Sequence, residues 1–250
     1  MAVVTFRFYG ELNDFLPPRQ RQRAFCESFS RRTSVKDMIE AIGVPHPEVA
    51  LIIVDATAVG FNHIVADGER IAVYPAFRRF GSALDAAPGN DDAGSVRFVL
   101  DANLGALARR LRLCGFDALY RNDIEDDEFA AISAREGRLA LTRDRDALKR
   151  RCITAGYFVR SDQPESQLAE VFQRYALSER AAPLTRCARC NGCLERVAKA
   201  AISHRLEPLT RRHFDYFRQC RSCGQVYWRG SHVAGIERLI ERLRSGRASC

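Results

Sequence analysis

The chain has 250 residues, of which 46% are hydrophobic and 28% are charged, a balance that is typical of globular proteins and excludes collagen-like, coiled-coil and wholly disordered chains. No stretch approaches the roughly 18 apolar residues of a membrane helix, and the first residues lack the pattern of a secretory signal. The sequence therefore predicts a cytoplasmic protein without membrane contact, and its net charge of +8 favours negatively charged partners.

Residues 1–80 have the pattern of a small mixed β-sheet with one helix. In the stretch TSVKDMIEAIG, Thr33 or Ser34 can cap a helix whose apolar residues recur at helical spacing, and Gly43 ends it. Runs of β-branched and aromatic residues predict strands at residues 3–9, 24–29, 51–54, around 59 and 70–74. This order of two strands, one helix and three strands indicates a small β-grasp domain.

Three stretches of this region, RFYGELNDFL, TSVKDMIEAIGVPHPEV and DGERIAVYPAF, resemble the ubiquitin-like, sulfur-carrier-type domain over about residues 1–80. Carriers of that type end in a free Gly-Gly whose carboxylate is activated, whereas this chain continues through Phe77, Arg78, Arg79 and Phe80. The resemblance therefore implies a domain that docks a protein partner rather than one that carries sulfur.

A segment without apolar periodicity separates this region from an alternating one. Residues 81–95, GSALDAAPGNDDAGS, predict a flexible linker. Over residues 96–180, short apolar runs alternate with segments of helical periodicity, as in an α/β fold whose parallel sheet is flanked by helices. We expect the strands at 96–100, 116–121, 138–142 and 157–159, and the helices at 103–114, 126–137, 145–151 and 164–177.

Acidic residues follow three successive strands of this pattern. Asp101 follows the first strand, Asp123 and Asp126 the second, and Asp144 and Asp146 the third. The carboxyl ends of parallel strands lie at one edge of the sheet, where ligands bind, so these acids should converge. Their repulsion can be relieved by Mg²⁺ or Mn²⁺, which activates water for phosphodiester hydrolysis. The alternative is that these residues are helix caps and turn formers, for which Asp is also favoured.

Arg121, Arg143 and Arg145 lie beside these acids in the sequence and could hold phosphate groups. The stretches LDANLG, LYRND, DDEF and LTRD resemble the Mut-seven C-terminal RNase family, and the match covers about residues 96–235. This resemblance implies a PIN-like nuclease domain followed by a zinc ribbon, with the ubiquitin-like domain as an N-terminal companion. It also implies metal ligands at Asp101, Asp123, Asp126 and Asp144, whereas Asp146 occupies a position at which the family pattern is less fixed.

Two cysteine pairs, Cys187 with Cys190 and Cys220 with Cys223, form the pattern C-x2-C-x29-C-x2-C. Such thiolate pairs suit a tetrahedral zinc site, which is structural because four protein ligands leave no open position. Four reduced, unligated cysteines are the alternative. Cys193 offers a further thiol that could replace Cys190 or be a spare, and the family resemblance favours the spare.

The basic excess lies in the last 70 residues, where residues 181–250 hold 14 basic and 5 acidic side chains. A basic segment of this kind attracts nucleic acid, although a general arginine bias of the chain is an alternative. In QVYWRGSHV, we expect Trp228, Arg229 and His232 to contact RNA bases and phosphates. Core packing of the aromatics and a structural hydrogen bond of His232 are the alternatives. We place the zinc ribbon at 181–235 and a basic helix and tail at 236–250.

These features together predict a metal-dependent ribonuclease. Catalytic Mg²⁺ or Mn²⁺ would be bound by the acids, structural Zn²⁺ by the four cysteines, and RNA by the basic ribbon, while the β-grasp domain docks a protein partner or caps the site. A first alternative is an RNA-binding adaptor whose PIN-like site is inactive. A second, less favoured, is a sulfur-carrier-like docking protein, and a catalytic-thiol enzyme based on Cys193 ranks last.

Overall fold

The computed structural model describes residues 1–75 and 96–244, apart from the side chains of Ser231 and His232. The predicted linker at 81–95, the stretch 77–80 and the residues from 245 onward lie outside the described residues. The described residues form separate sheets of five, four and three strands in chain order. Within this part of the chain, no helix combines the length and apolar character needed to cross a bilayer.

The five-stranded sheet confirms the predicted β-grasp domain. Ser34 caps its helix, because the Ser34 hydroxyl accepts a hydrogen bond from the Asp37 N–H at 3.1 Å, and Gly43 ends the helix at a left-handed φ of 114°. The elements are β1 (Ala2–Phe8), β2 (Phe25–Phe29), α1 (Val35–Ile42), β3 (Val49–Val54), β4 (Thr57–Val59) and β5 (Arg70–Pro75). The strand order is β2-β1-β5-β3-β4, in which only β1 and β5 are parallel neighbours.

The four-stranded sheet is entirely parallel and lies between two layers of helices, as predicted. Its elements are β6 (Arg97–Leu100), α2 (Gly105–Leu113), β7 (Asp117–Tyr120), α3 (Asp126–Glu136), β8 (Leu139–Thr142), α4 (Arg145–Leu148), β9 (Gly156–Phe158) and α5 (Pro164–Arg174). The strand order is β7-β6-β8-β9. Helices α2 and α5 cover one face and α3 and α4 the other, which explains why β6 and β8 are apolar along nearly their whole length.

Several of these helices are shorter than the sequence pattern predicted. A 3₁₀ turn over Ala102–Leu104 precedes α2, α4 ends at Leu148, and α5 ends at Arg174, shortly before Ala176 adopts a left-handed φ of 50°. After α2, Gly115 has a φ of +97°, and a Cβ there would lie 2.2 Å from the Ala182 carbonyl oxygen. Only glycine therefore fits at this turn.

The three-stranded sheet forms a ribbon that the last helix attaches to the domain of the four-stranded sheet. Its elements are β10 (Leu194–Val197), α6 (Lys199–Ile202), α7 (Pro208–His213), β11 (Phe217–Cys220) and β12 (Val226–Trp228), with antiparallel pairing. The two short helices occupy the long interval between the cysteine pairs. Helix α8 (Ser231–Arg244) begins five residues before the predicted start at residue 236, and its Ile236 and Ile240 join the core formed by α2 and α5.

The β-grasp domain packs against β9, the edge strand of the parallel sheet. Glu48 is fully buried there, and its Oε1 accepts a hydrogen bond from the Phe158 N–H at 2.6 Å, while Oε2 lies 3.3 Å from the Arg160 guanidinium. His46 Nε2 lies 2.7 Å from the carbonyl oxygen of Ile153. Arg145, the first residue of α4, donates a hydrogen bond to the Phe15 carbonyl oxygen at 3.3 Å, so the β-grasp domain also contacts α4, which follows the carboxyl end of β8.

Candidate functional site

One threonine hydroxyl connects the ends of β6 and β8. Asp101 follows β6 and is largely buried, and its Oδ2 accepts a hydrogen bond from Thr142 Oγ1 at 2.7 Å. The same Oγ1 accepts a hydrogen bond from the Asp144 N–H at 2.8 Å. The backbone N–H of Asp101 also donates to the Leu141 carbonyl oxygen at 3.1 Å. Asp101 and the first residue after β8 are therefore held side by side at the carboxyl edge of the sheet.

Asp144 is the N-cap of α4. Its Oδ1 accepts hydrogen bonds from the N–H groups of Asp146 and Ala147 at 2.8 and 3.4 Å. The helix-cap interpretation therefore describes this side chain, although among the described contacts it involves only one carboxylate oxygen. Because the Asp144 side chain is exposed, its Oδ2 faces no competing protein donor among those contacts and can accept a further ligand.

The other predicted acids are exposed, and each lies beside a cation. The Asp123 carboxylate is 3.7 Å from the Arg121 guanidinium, that of Asp126 is 3.5 Å from Arg150, and that of Asp146 is 3.1 Å from the Lys149 ammonium. Asp126 lies in the first turn of α3, and neither it nor the N-cap residue Glu125 makes a side-chain capping bond there.

The five acids share one edge of the sheet without forming a compact cluster. Among the described residues, only four cysteines bring at least three potential metal-binding atoms within 4.8 Å of one another. Asp123, which follows β7, and Asp126 of α3 therefore lie at the same edge of the sheet as Asp101 and Asp144, but they do not join them in such a group.

The arginines predicted to hold phosphate are already engaged. Arg143 donates hydrogen bonds to the carbonyl oxygens of Val159 and Arg160 at 3.3 and 2.9 Å, and so supports the chain after β9. The Arg145 guanidinium lies 5.2 Å from the ring centre of Phe15 and 5.6 Å from that of Phe158, in the contact between the two domains. Arg121 is half exposed and forms ion pairs with Glu128 and Asp123. Arg121 and Arg145 are both exposed, whereas Arg143 is partly buried.

Four cysteine thiols form a site that fits a tetrahedral metal ion. The sulfur atoms of Cys187 and Cys223 are 3.6 Å apart, those of Cys190 and Cys220 are 3.4 Å apart, and all four lie within 4.8 Å of one another. Zinc–sulfur bonds of 2.3 Å in a tetrahedron require sulfur separations of about 3.8 Å. The fifth thiol of this region, Cys193, is exposed and outside the group, in agreement with its interpretation as a spare.

The surroundings of the Cys220 thiol favour its thiolate form, whereas burial raises the pKa of Cys190 to about 12. Burial alone would raise the pKa of Cys220, but the N–H groups of Cys223 and Ser222 act against it and lower the pKa to about 6. The Tyr227 hydroxyl lies 3.1 Å from the Cys187 sulfur. A Cβ at Gly192 would lie 2.9 Å from the Cys220 sulfur. Glycine is therefore required where the turn that holds Cys187 and Cys190, the first knuckle, passes the turn that holds Cys220 and Cys223, the second knuckle.

The first cysteine knuckle is bound to the parallel sheet by residues that sequence reasoning missed. Asn191, at a left-handed φ of 67°, donates from Nδ2 to Asp117 at 2.7 Å and accepts from the Ala118 N–H at 3.1 Å. Arg112 is buried and donates to the carbonyl oxygens of Ala118 and Arg189 at 2.8 and 3.1 Å. The only signal in the sequence was the Asn-Gly pair after Cys190, which indicates a turn and not its docking partner.

The residues predicted to bind RNA after β12 are placed differently from one another. Trp228 packs against Phe214 and Phe217, with both pairs of ring centres 6.4 Å apart, so the core-packing interpretation describes it. Arg229 is exposed, 3.2 Å from the Glu237 carboxylate. The side chain of His232 lies outside the described residues.

Comparison with known families gives one match for each part of the chain. Residues 96–240, more than half of the chain, match the model described as the Mut7-C RNAse domain. Residues 1–81 match the model described as Mut7-C ubiquitin. No curated protein and no solved structure matches the chain.

Proposed function

We propose that this chain, which belongs to the Mut7-C RNAse family, is a ribonuclease that hydrolyses RNA phosphodiester bonds with the help of Mg²⁺ or Mn²⁺. The observation that carries the proposal is the arrangement of Asp101, Thr142 and Asp144 at adjacent strand ends of a parallel sheet. Ligands bind at this edge of open parallel sheets, and carboxylate oxygens are the ligands that these cations prefer.

In this proposal, Asp101 and Asp144 are the central ligands. Thr142 holds one carboxylate oxygen of Asp101 in place, and the cap of α4 orients the Asp144 carboxylate. Asp123 and Asp126 complete the set when their exposed side chains turn towards the edge of the sheet, and Asp146 adds a fifth carboxylate beside them. When bound, such a cation supplies Lewis acidity and a water of lowered pKa.

The ribbon has a supporting role in this proposal. We assign structural Zn²⁺ to the four grouped thiols, and the basic surface of the ribbon to RNA binding. Thiols that bind zinc must stay reduced, which favours the cytoplasm as the site of action. The β-grasp domain, which packs beside α4, caps one side of the site and offers its remaining surface to a protein partner.

A second candidate function is an RNA-binding adaptor with an inactive nuclease site. The separation of the exposed acids supports it, because Asp126 is paired with Arg150 and Asp144 caps a helix. The adaptor shares the ribbon and the fold with the nuclease and differs only in the chemistry at the edge of the sheet. A test of cleavage therefore separates the two functions.

The experiment is cleavage of a labelled RNA pool by the purified chain in Mn²⁺, in Mg²⁺ and without added divalent metal. We expect the double substitution Asp101→Asn and Asp144→Asn to reduce cleavage about a hundredfold or more, because several kcal/mol of transition-state stabilisation depend on a bound cation. Asp37→Asn, an exposed acid of the β-grasp domain, is the matched control and should cleave normally. Salt-sensitive RNA binding without cleavage by any variant would support the adaptor instead.

A further inference from the structure

Two arginines lie directly opposite each other on the ribbon sheet. Arg196 of β10 and Arg218 of β11 are paired in the antiparallel register. Like charges in opposed positions destabilise a strand pair. Within the described part of the chain, neither guanidinium lies within salt-bridge distance of a carboxylate, so the two positive charges are not neutralised by the protein. Such an arrangement is suited to an anionic ligand.

An exposed tyrosine ring lies close to both arginines. Tyr216 is 39% exposed, and its ring centre is 5.7 Å from the Arg196 guanidinium carbon and 5.9 Å from that of Arg218. Both guanidinium carbons lie farther from the ring centre than the roughly 3.5 Å of a closely stacked group, and the exposure of Tyr216 leaves part of its ring accessible to a ligand. Arg218 Nε donates a hydrogen bond to the Tyr216 hydroxyl at 2.9 Å, which fixes the orientation of the ring.

This group shares a face of the sheet with the cysteine site. Side chains alternate along a strand, so Arg218 and Cys220 point to the same side, and Cys220 is paired with Leu194 just as Arg218 is paired with Arg196. Arg218 Nη1 also donates to the Leu194 carbonyl oxygen at 3.2 Å. A metal ion held by the thiols would therefore stabilise the strands that carry the two arginines.

We propose that Arg196, Tyr216 and Arg218 form a binding site for a nucleotide of single-stranded RNA. The base stacks on the exposed ring of Tyr216, and the adjacent phosphate lies between the two guanidinium groups. Single-stranded RNA is favoured over duplex RNA because its unstacked bases are free to pack on an aromatic side chain. The inference rests on the proposed function in that RNA is the ligand, but it does not depend on catalysis.

The test measures binding and not cleavage. A fluorescent 12-nucleotide RNA of mixed sequence is titrated with the full chain in its zinc-loaded form, carrying Asp101→Asn and Asp144→Asn so that the RNA stays intact. In this background, we expect Tyr216→Ala to weaken binding about tenfold, in the range of one stacked base, and Tyr216→Phe to weaken it less than about twofold, because the ring remains. Zinc content and Trp228 fluorescence show whether each variant retains the ribbon fold.

The arginines are tested by the salt dependence of the same binding. Replacing both Arg196 and Arg218 by Gln should reduce the slope of log affinity against log salt by about 0.7, the value for the one phosphate that the two side chains share on a single strand. Arg135→Gln, an exposed arginine of α3, lowers the net charge elsewhere and should change neither the affinity nor the slope by a comparable amount.

Several outcomes would overturn the inference. Unchanged binding by a folded Tyr216→Ala variant would exclude the stacking site, and equal loss of affinity for a 12-base-pair duplex would indicate recognition of helix shape instead. Tyr216-dependent binding in a protein that never cleaves RNA would contradict the proposed nuclease function and support this binding site. Normal cleavage by the otherwise unmodified chain carrying Tyr216→Ala, with unchanged RNA affinity, would contradict this binding site and support the nuclease function.

Discussion

Thr142 connects the two acids on which the proposed active site depends. Its single hydroxyl donates to Asp101 and accepts from the backbone of Asp144, so the side chain satisfies a largely buried carboxylate and fixes the start of the next turn. Valine has nearly the same shape but can form neither hydrogen bond. A buried carboxylate that loses its donor costs free energy unless a cation replaces it, which is consistent with the proposed metal-binding site at this edge.

Asp117 is a residue through which the pH should affect stability. Burial would raise its pKa, but hydrogen bonds from Arg138 and Asn191 act against it and hold the pKa below its ordinary value. Because the folded pKa is the lower one, the ionised carboxylate stabilises the protein above the unfolded pKa of about 3.9, and this contribution is lost as the pH falls through the folded pKa. We expect Asp117→Asn to lower the free energy of unfolding at pH 7 by about 1–3 kcal/mol.

The measurement is urea unfolding at pH 7 and at several values below pH 4. The difference between Asp117→Asn and the unmodified chain should shrink as the pH falls, because both then carry an uncharged side chain at this position. Glu136→Gln is a useful control, since Glu136 also contacts Arg138 but is more exposed, and its effect should be below about 1 kcal/mol. A difference that is constant with pH would show that the charge of Asp117 is not what stabilises the contact.

The ribbon is the element whose stability should depend on zinc. Its strands enclose only small groups of buried side chains, such as Ile202, Leu206, Phe217 and Val226, and so little apolar area rarely holds a domain of this size without a metal. We expect Cys220→Ser to abolish stoichiometric zinc binding and the protection of the β10–β12 amides from hydrogen exchange. The matched Cys193→Ser should bind about one Zn²⁺ per chain, as the unmodified protein does. Loss of zinc from the Cys193 variant would contradict the assignment of Cys193 as a spare.

At the level of elements, the sequence pattern was sufficient to predict those features that depend on residues close together in the chain. Apolar runs located the strands of the parallel sheet to within about two residues, and the spacing of the cysteines predicted the group that the ribbon forms. Contacts between distant segments had no such signal, as with Glu48 and Phe158, which are 110 positions apart, and Asn191 and Asp117, which are 74 apart. An acid before a strand and an asparagine in a turn look ordinary, because their partners are determined by how the domains pack.

The same reasoning explains why site residues were harder to predict than elements. The order of strands and acids placed five carboxylates at one edge, but whether Asp144 caps a helix or Arg145 stacks on Phe15 depends on rotamers and on the neighbouring domain. Trp228 illustrates another difficulty, which is that one sequence pattern can fit two roles: an aromatic residue beside an arginine suits both an RNA contact and the core of a small domain. The pairing of Arg196 with Arg218 becomes visible only when the register of the ribbon is known.

The contact between the β-grasp and nuclease domains has the character of a permanent interface. Glu48 is fully buried, and it accepts a hydrogen bond from the backbone of β9 and faces Arg160, which also contacts Asp14. Phe15 packs edge-on against Phe158 with ring centres 5.5 Å apart. Polar and aromatic contacts of this kind favour one fixed orientation of the domains over independent motion. The β-grasp domain therefore contributes to the shape of the site through Arg145, the neighbour of Asp144.

The fixed orientation predicts that the two domains stay together without a covalent connection. A protease site inserted in residues 81–95 allows the chain to be cut after folding, and we expect both fragments to elute together in size-exclusion chromatography. Glu48→Ala should cause them to separate, because it leaves the Phe158 N–H and the Arg160 charge without their buried partner, at a cost of about 3 kcal/mol or more. Asp14→Ala removes a more exposed partner of Arg160 and should leave the fragments associated. Separate elution of the unsubstituted fragments would show that the connection, and not the interface, keeps the domains together.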